Sequence, residues 1–386
     1  MNQYQTIPPD TIFRLNDEFK ADPRPNKVNA GIGIYLDESG KPFVIPIISK
    51  IAASLDFKNF NYLPISGDTT FLDESAKLIF GNNLYKKFNN KLAKQGVVGG
   101  TNGIYLWANL IQSIDKNPTI IISNPTWENH NKIFENFGFN IIEFPQLDKN
   151  NNFNFKALEK NILNNPNSYI LFQGGPTHNP TSVNPSDTEW KLLSKLLKDN
   201  NNSALFDFAY AGLGDNFESD CFGVRHILEN KIPVSVNFSY SKNMTLYQHR
   251  TGILVILTDN NKEKLILESN LKFLFRINNS TPPAFGELIV KNILQNETYK
   301  KEWLHTLSEM SASLKKRRQL FNKYTNNRFK FILNQKGFFS LINLNPSQIE
   351  TLKTKHAIYL LPNSRINFAG MALEQIPYVA KAINSI

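Results

Sequence analysis

Five short apolar runs constrain the fold of this chain more than any other feature: "TIIIS" at 119–123, "SYILFQ" at 168–173, "ALFDF" at 204–208, "PVSVNF" at 233–238 and "GILVIL" at 252–257. Each has the length of one strand and reads as buried on both faces. Beside them, 103–115, 186–199 and 261–273 carry apolar residues at helical spacing. Strands alternating with helices predict an α/β fold, a mostly parallel sheet covered by helices. Ligands of such sheets gather at the carboxyl ends of the strands. Polar residues fall at those ends: Asn124 and Trp127 after the first run, His178 and Asn179 after the second, Asp207 and Tyr210 after the third, Ser239 and Lys242 after the fourth. The outer parts of the chain carry a long helix, a strand-like "GFFSLINL" and a final helix, which predict a smaller α+β domain built from both termini. The expected division is 1–40 for an N-terminal arm and part of the small domain, 41–295 for a large ligand-binding domain, and 296–386 for the rest of the small domain.

Composition removes several classes. With 386 residues and 41 % hydrophobic content, the chain can bury a large core. Cys221 is the only cysteine, so no intrachain disulfide forms, in keeping with a reducing cytoplasm. The start, "MNQYQTIPPDTIFRLNDEF", lacks a basic patch followed by an apolar core. No apolar run approaches the roughly 18 residues that span a bilayer, so no membrane partner is expected and the expected location is cytoplasmic. The formal net charge of +10 raises nucleic acid as a partner, but the lysines are spread along the chain. The one dense basic run, "LKKRRQL" at 314–320, lies among Leu307, Met310, Leu314 and Phe321 at helical spacing, and is expected on the outer face of a surface helix. Nucleic acid is therefore not expected. The histidines show no paired ligand spacing, and no metal is expected.

The stretch "NFSYSKNMTLYQHRTG" at 237–252 sets Lys242 among Ser239, Tyr240 and Ser241, with Arg250 just downstream. Such a lysine can be solvated, clamp a phosphate or serve covalent chemistry. In "VVGGTNGIYLWANLI" at 97–111, Gly99, Gly100 and Thr101 open a helix whose unpaired amides and dipole favour a phosphate. Ser239 and Arg250 could add a hydroxyl and a guanidinium to the same group. Asp207 ends a buried run, where a carboxylate needs a positive partner or a protonated ligand nitrogen. Trp127 offers a flat face for stacking. Phosphate cradle, stacking ring, carboxylate and free lysine together describe pyridoxal phosphate held as a Schiff base.

The chain resembles the class I, fold-type I aminotransferases of the aspartate/aromatic group. The likeness is carried in order by "KVNAGIGIYLDESGK" (27–41), "FNYLPISGDTTF" (60–71), "SNPTWENHNKIF" (123–134), "HNPTSVNPS" (178–186), "DFAYAGLG" (207–214), "SYSKNMTLYQHRTG" (239–252), "RINNSTPPAFG" (276–286) and "YLLPNSRINFAGM" (359–371). It implies a pyridoxal 5'-phosphate enzyme that transfers the amino group of L-aspartate to 2-oxoglutarate by a ping-pong route, with small amino and oxo acids as its partners. It further implies that Lys242 carries the cofactor and shuttles the substrate proton, and that Asp207, supported by His130, keeps the pyridine nitrogen protonated. Asn179 and Tyr210 correspond to the residues on the cofactor's phenolic oxygen, Trp127 to the stacking ring, and Gly100, Thr101, Ser239 and Arg250 to the phosphate cup. Arg365 corresponds to the grip on the α-carboxylate, with Gly33 offering an amide nearby. Arg276 and Tyr62 correspond to residues that cross a homodimer interface, to the distal carboxylate and the phosphate respectively.

The chain departs from the family pattern at "FQGGPTHNPTS" at 172–182, one residue longer, with Gln173 where a histidine is usual and Ser182 in place of a glycine. Ile34, Leu36 and Thr281 near the entrance leave open an aromatic aminotransferase that retains Arg276 for the glutamate half of the cycle.

Overall fold

The computed structural model describes residues 10–56, 61–175 and 177–386. The chain forms two compact units, one of Met1–Phe43, Pro180–Ser182 and Ala312–Ile386, the other of Val44–Asn179 and Val183–Ser311. Eleven strands are present among the described residues: β1 (Val28–Asn29), β2 (Leu92–Val98), β3 (Thr119–Asn124), β4 (Asn140–Pro145), β5 (Tyr169–Gln173), β6 (Ser203–Phe208), β7 (Val234–Ser239), β8 (Thr251–Leu257), β9 (Phe339–Leu341), β10 (Ile358–Tyr359) and β11 (Arg365–Asn367).

The larger unit is built on a seven-stranded sheet in the order β2-β8-β7-β6-β5-β3-β4. All neighbours are parallel except β8, which runs antiparallel to both β7 and β2. Each of the five apolar runs forms one of these strands. Ile120, Ile121 and Ile122 of β3 are fully buried, as a strand covered on both faces requires. Two strands were not anticipated, because "LAKQGVV" and "NIIEFP" mix polar with apolar residues. Helices Gly99–Ile114, Asp187–Asp199 and Asn261–Asn278 cover the sheet. Trp107, Phe134, Leu271 and Phe275 pack with sheet residues Ile120, Ile122 and Leu205 in one core cluster. Helix Asp187–Asp199 starts where its sequence says it should, with Ser186 and Glu189 forming a reciprocal capping box.

Strand order places a switch point beside β3. The chain goes from β3 outward to β4, then returns to place β5 on the other side of β3. The β3–β5 ladder stops after Ile121↔Ile170, whereas β5–β6 continues to Gln173↔Asp207. The carboxyl ends of β3 and β5 therefore part, which is where open α/β sheets hold ligands.

In the smaller unit, β1 pairs in parallel with β10, and β9 pairs antiparallel with β11. The basic run corrects the sequence expectation of an exposed cluster. Arg317 is fully buried and Arg318 is 2 % exposed, while Lys315 and Lys316 of the same run are exposed. Helical arithmetic explains it: 317 and 318 lie three and four residues after Leu314 and just before Phe321, on the apolar face rather than opposite it. Arg317 donates to Leu36 O (2.8 Å) and to Phe368 O and Ala369 O (both 3.0 Å). Arg318 donates to Gly337 O (2.7 Å) and Phe339 O (2.8 Å) and lies over the Phe368 ring. These guanidiniums satisfy loop carbonyls that would otherwise be buried without partners. Burial pulls the Arg318 guanidinium down to about 9.

A second buried charge sits in the larger unit. Glu287 is 2 % exposed and accepts a bond from Asp68 N at 2.7 Å. Desolvation pushes its carboxyl up to about 8. A raised carboxyl favours the folded state fully below its unfolded value, and the contribution is lost as pH rises through the folded one.

Two outcomes are expected in denaturant unfolding. Arg318→Lys lowers stability by roughly 1–2 kcal/mol, because an ammonium cannot reproduce the forked donors, whereas Lys315→Arg stays within about 0.5 kcal/mol. Glu287→Gln gains stability over the parent as pH rises from 4.5 to about 8, by up to ~1.4 kcal/mol per pH unit, and loses that advantage at the acid end.

Candidate active site

The register of the sheet sets three polar side chains in a row. Gln173 at the end of β5 pairs with Asp207 of β6, which pairs with Asn237 of β7. Directly paired residues point to the same face, so all three converge at the carboxyl end of the sheet. Asp207 is 9 % exposed. Its Oδ2 lies 3.1 Å from His130 Nε2 and its Oδ1 accepts from Asn237 Nδ2 at 3.0 Å. His130, fully buried in helix Asn129–Asn136, has its other ring nitrogen 2.8 Å from Thr126 Oγ1.

Helix Gly99–Ile114 follows β2 and has no side-chain cap at its start, which leaves backbone amides facing the site. Two glycines bring it close. Gly99 has φ +71°, and a Cβ there would lie 2.7 Å from Arg250 Cζ. Gly103 lets the helix pass Asn237, whose Cγ would lie 2.8 Å from an added Cβ. The guanidinium of Arg250 is therefore pressed against the positive end of a helix. Its bonds go to Ser241 Oγ (3.1 Å) and Tyr247 O (3.2 Å), and burial holds it below its ordinary value. Ser239 Oγ donates to Ser241 Oγ at 3.0 Å and accepts from Ser241 N at 3.2 Å. A desolvated cation beside free amides and hydroxyls suits a phosphate dianion.

A cavity of about 150 Å³ gathers these elements, lined among others by Gly100, Thr101, Trp127, Asn179, Asp207, Tyr210, Ser239, Lys242 and Arg250. Lys242 Nζ lies 4.6 Å from the centre of the Tyr247 ring. The fold thus unites in one unit most of the residues singled out in the sequence. His130 stands behind Asp207 rather than on the cavity wall.

Four residues lie elsewhere. Tyr62 is 89 % exposed, and Arg276, near the end of helix Asn261–Asn278, is exposed and bonded to Ser280 Oγ. Arg365 and Gly33 belong to the smaller unit. There Arg365, 4 % exposed, donates to Gly31 O at 2.7 Å and lies over the Phe339 ring at 4.2 Å. Asn29 Oδ1 accepts from Gly31 N and Ile32 N, and Asn367 Nδ2 donates to Ile32 O and Ile34 O, which shapes the Gly31–Ile34 turn around that guanidinium.

Sequence reasoning did not assign roles to Thr126, Gln173, Asn237 or Ser241. Ser241 was visible beside Lys242, and Asn237 interrupts an apolar run. The contacts of Thr126 and Gln173 span 47 residues and had no local signal. His178, one of the polar residues that follow the strands, is buried 2.9 Å from Ser123 Oγ. Burial and the nearby His130 push it down to about 3, so it is neutral under ordinary conditions. Among the described residues no group of three or more His, Cys, Asp or Glu could hold a metal, and no helix is long and apolar enough to cross a membrane.

Comparison with known proteins adds relatives. Residues 25–383 match the family "Aminotransferase class I and II". The chain is 31 % identical to the mitochondrial aspartate aminotransferase of Schizosaccharomyces pombe, over 98 % of this chain and 89 % of that protein. It superposes on an aromatic-amino-acid aminotransferase of Burkholderia pseudomallei covalently bound to pyridoxal phosphate, with a TM-score of 0.94, 30 % identity, and coverage of 100 % and 98 % of the two chains. It is similar also to the broad-specificity aminotransferase of Leishmania mexicana, with a TM-score of 0.94, 30 % identity, and coverage of 99 % and 96 %.

Gly99→Ala is expected to weaken inorganic phosphate binding roughly tenfold, because the new methyl displaces the Arg250 guanidinium. Calorimetric titration of the cofactor-free chain would measure it, and unchanged affinity would dissociate Arg250 from the anion.

Proposed function

The chain belongs to the class I and II aminotransferases and works with pyridoxal 5'-phosphate, and from that premise we propose that it moves the amino group of L-aspartate to 2-oxoglutarate in a ping-pong cycle. The observation that carries this reading is the single cavity in which a lysine, a buried carboxylate and a desolvated arginine meet. The donor set fits the cofactor: the arginine and helix start match its phosphate, and Asp207 matches a protonated ring nitrogen. When bound, the cofactor supplies a carbonyl that condenses with amines and a cationic ring that takes up the electron pair left at the substrate's α-carbon.

The protein's own groups do the rest. Gly100, Thr101, Ser239 and Arg250 hold the phosphate, Trp127 stacks on the ring, and Asn179 and Tyr210 bind its phenolic oxygen. His130 and Asn237 both bond the Asp207 carboxylate and hold it in place, where it would meet the ring nitrogen and keep a proton on it. Lys242 Nζ would anchor the cofactor and, once displaced by the substrate amine, would carry the α-proton of the substrate to the cofactor. Arg365 grips the α-carboxylate, helped by the backbone at Gly33.

Arg276 and Tyr62 act across a homodimer, Arg276 on the distal carboxylate and Tyr62 on the phosphate. Support comes from the surface around Arg276, where Phe273 is 65 % and Ile277 66 % exposed on the same helix, an apolar face that a second copy would cover. Its other partners are small amino and oxo acids rather than nucleic acid. A cytoplasmic setting is supported by Cys221, the one cysteine, which is buried and whose thiol burial pushes up. The second reading, transfer from phenylalanine or tyrosine, is favoured by apolar Ile34 and Leu36 and by the likeness to the Burkholderia protein.

The visible spectrum of the purified protein tests this. Loss of the cofactor band on adding L-aspartate, and its return with 2-oxoglutarate, is expected. A band that answers only to phenylalanine or tyrosine would transfer the assignment to the second reading. Arg276→Ala is expected to lower kcat/KM for aspartate by about 10²-fold or more while leaving phenylalanine within a few fold.

A further inference from the structure

We propose that Gln173 sets the direction of the hydrogen-bond chain running through Thr126 and His130 to Asp207, and so keeps the His130 proton on the nitrogen that faces the carboxylate. This rests on the reading of Asp207 as the partner of the cofactor's ring nitrogen.

Backbone groups fix the orientation of the amide. Asn179 N can only donate, and it meets Gln173 Oε1 at 2.8 Å. Asn179 O can only accept, and it meets Gln173 Nε2 at 2.8 Å. The amide therefore cannot flip without losing both bonds. One Nε2 hydrogen is taken by Asn179 O, and the second has two candidates, Thr126 Oγ1 at 3.1 Å and His178 Nε2 at 3.2 Å. His178 Nε2 already has the Ser123 hydroxyl as a partner at 2.9 Å, and Thr126 is the nearer of the two candidates. The second hydrogen goes to Thr126.

The consequence passes along the chain. Gln173 supplies Oγ1 with a donor and leaves the hydroxyl's own hydrogen for His130 Nδ1, 2.8 Å away, and in our inference Thr126 donates it there. That nitrogen accepts and so carries no proton. The proton resides on Nε2, where it donates to Asp207 Oδ2 at 3.1 Å. His130 Nε2 is then the donor that orients the carboxylate facing the ring nitrogen. The buried neutral His178 and the amide of Asn237 also border this chain, and neither supplies a competing charge. Gln173 is thus a positioning residue acting through two others. The same amide holds Asn179 by its backbone, so it links the residues on two sides of the cavity. A glutamine does this with donors and acceptors that do not titrate, unlike the histidine usual at this place.

The test uses full-length holoenzyme labelled with ¹⁵N-histidine, the His130 signals being assigned by their loss in His130→Asn. In the parent, Nδ1 is expected in the unprotonated range and Nε2 in the protonated one. In Gln173→Glu the introduced carboxylate can only accept, so the Thr126 hydroxyl turns to it and Nδ1 of His130 becomes protonated. The cofactor's dissociation constant is expected to rise about tenfold in that variant. Gln173→His, which can donate to Thr126, should restore both parent values. Should Gln173→Glu fail to fold, Thr126→Ser is expected to keep the parent pattern, and Thr126→Val, with no hydroxyl to donate, is expected to move the Nδ1 signal away from its hydrogen-bonded position. A protonated Nδ1 in the parent, an unprotonated Nδ1 in folded Gln173→Glu, or an Nδ1 signal in Thr126→Val unchanged from the parent would overturn the inference. If such a protein still transaminates, the proposed function stands without it; an absence of transamination with the expected tautomer would overturn the function instead.

Discussion

A carboxylate buried at the end of a central strand is the constraint around which the larger unit is arranged. Left alone, Asp207 would cost several kcal/mol in lost hydration. The structure gives it an imidazole from one side and an amide from the other, at 3.1 and 3.0 Å. Those partners require β6 to lie in register with β7, and helix Asn129–Asn136 to bring His130 to the carboxylate. Helix Gly99–Ile114 must pass close enough for Asn237 to reach Gly100 O as well, at 2.9 Å, which Gly103 permits. Sheet order, helix approach and charge balance at the cavity are thereby one problem with one solution.

The buried arginines show how environment separates cations committed to the fold from one left beside a cavity. Arg317 and Arg318 spend their donors on backbone carbonyls, so their charge is used within the smaller unit to hold loops in place. Arg250 is desolvated too, and among the described residues one carbonyl and one hydroxyl serve it beside the start of a helix. Positive potential that the protein does not neutralise is available to a ligand. Arg365 combines the two, since one donor fixes Gly31 O and its face lies against Phe339.

Much of the fold was legible along the chain. The five apolar runs became β3, β5, β6, β7 and β8 within a residue or two, because strands covered on both faces must be apolar almost throughout. The two unread strands, β2 and β4, contain Lys94, Gln95, Asn140 and Glu143, whose side chains find partners or solvent at the margins of the sheet. The "LKKRRQL" run was misread because composition outweighed phase: four cations in a row suggest a solvated face, while the spacing from Leu314 to Phe321 puts two of them inside. The division of the chain between Ser311 and Ala312 lies within helix Glu297–Tyr324, where no loop or change in composition could mark it.

By itself the sequence determined the alternation of strand and helix and the kind of residue that follows each strand, since both are local properties of spacing and side-chain chemistry. It therefore named the lysine, the carboxylate, the glycine and the arginine that line the cavity. Only the tertiary structure decided that Gln173, Asp207 and Asn237 stand side by side, that Thr126 joins His130 to Gln173, and that Arg317 and Arg318 are buried while Lys315 and Lys316 are not. Those outcomes depend on strand order, on register and on which helix face meets a neighbour. Each is settled by contacts between residues tens of positions apart, and one step of register or a quarter turn of helix would have reversed them.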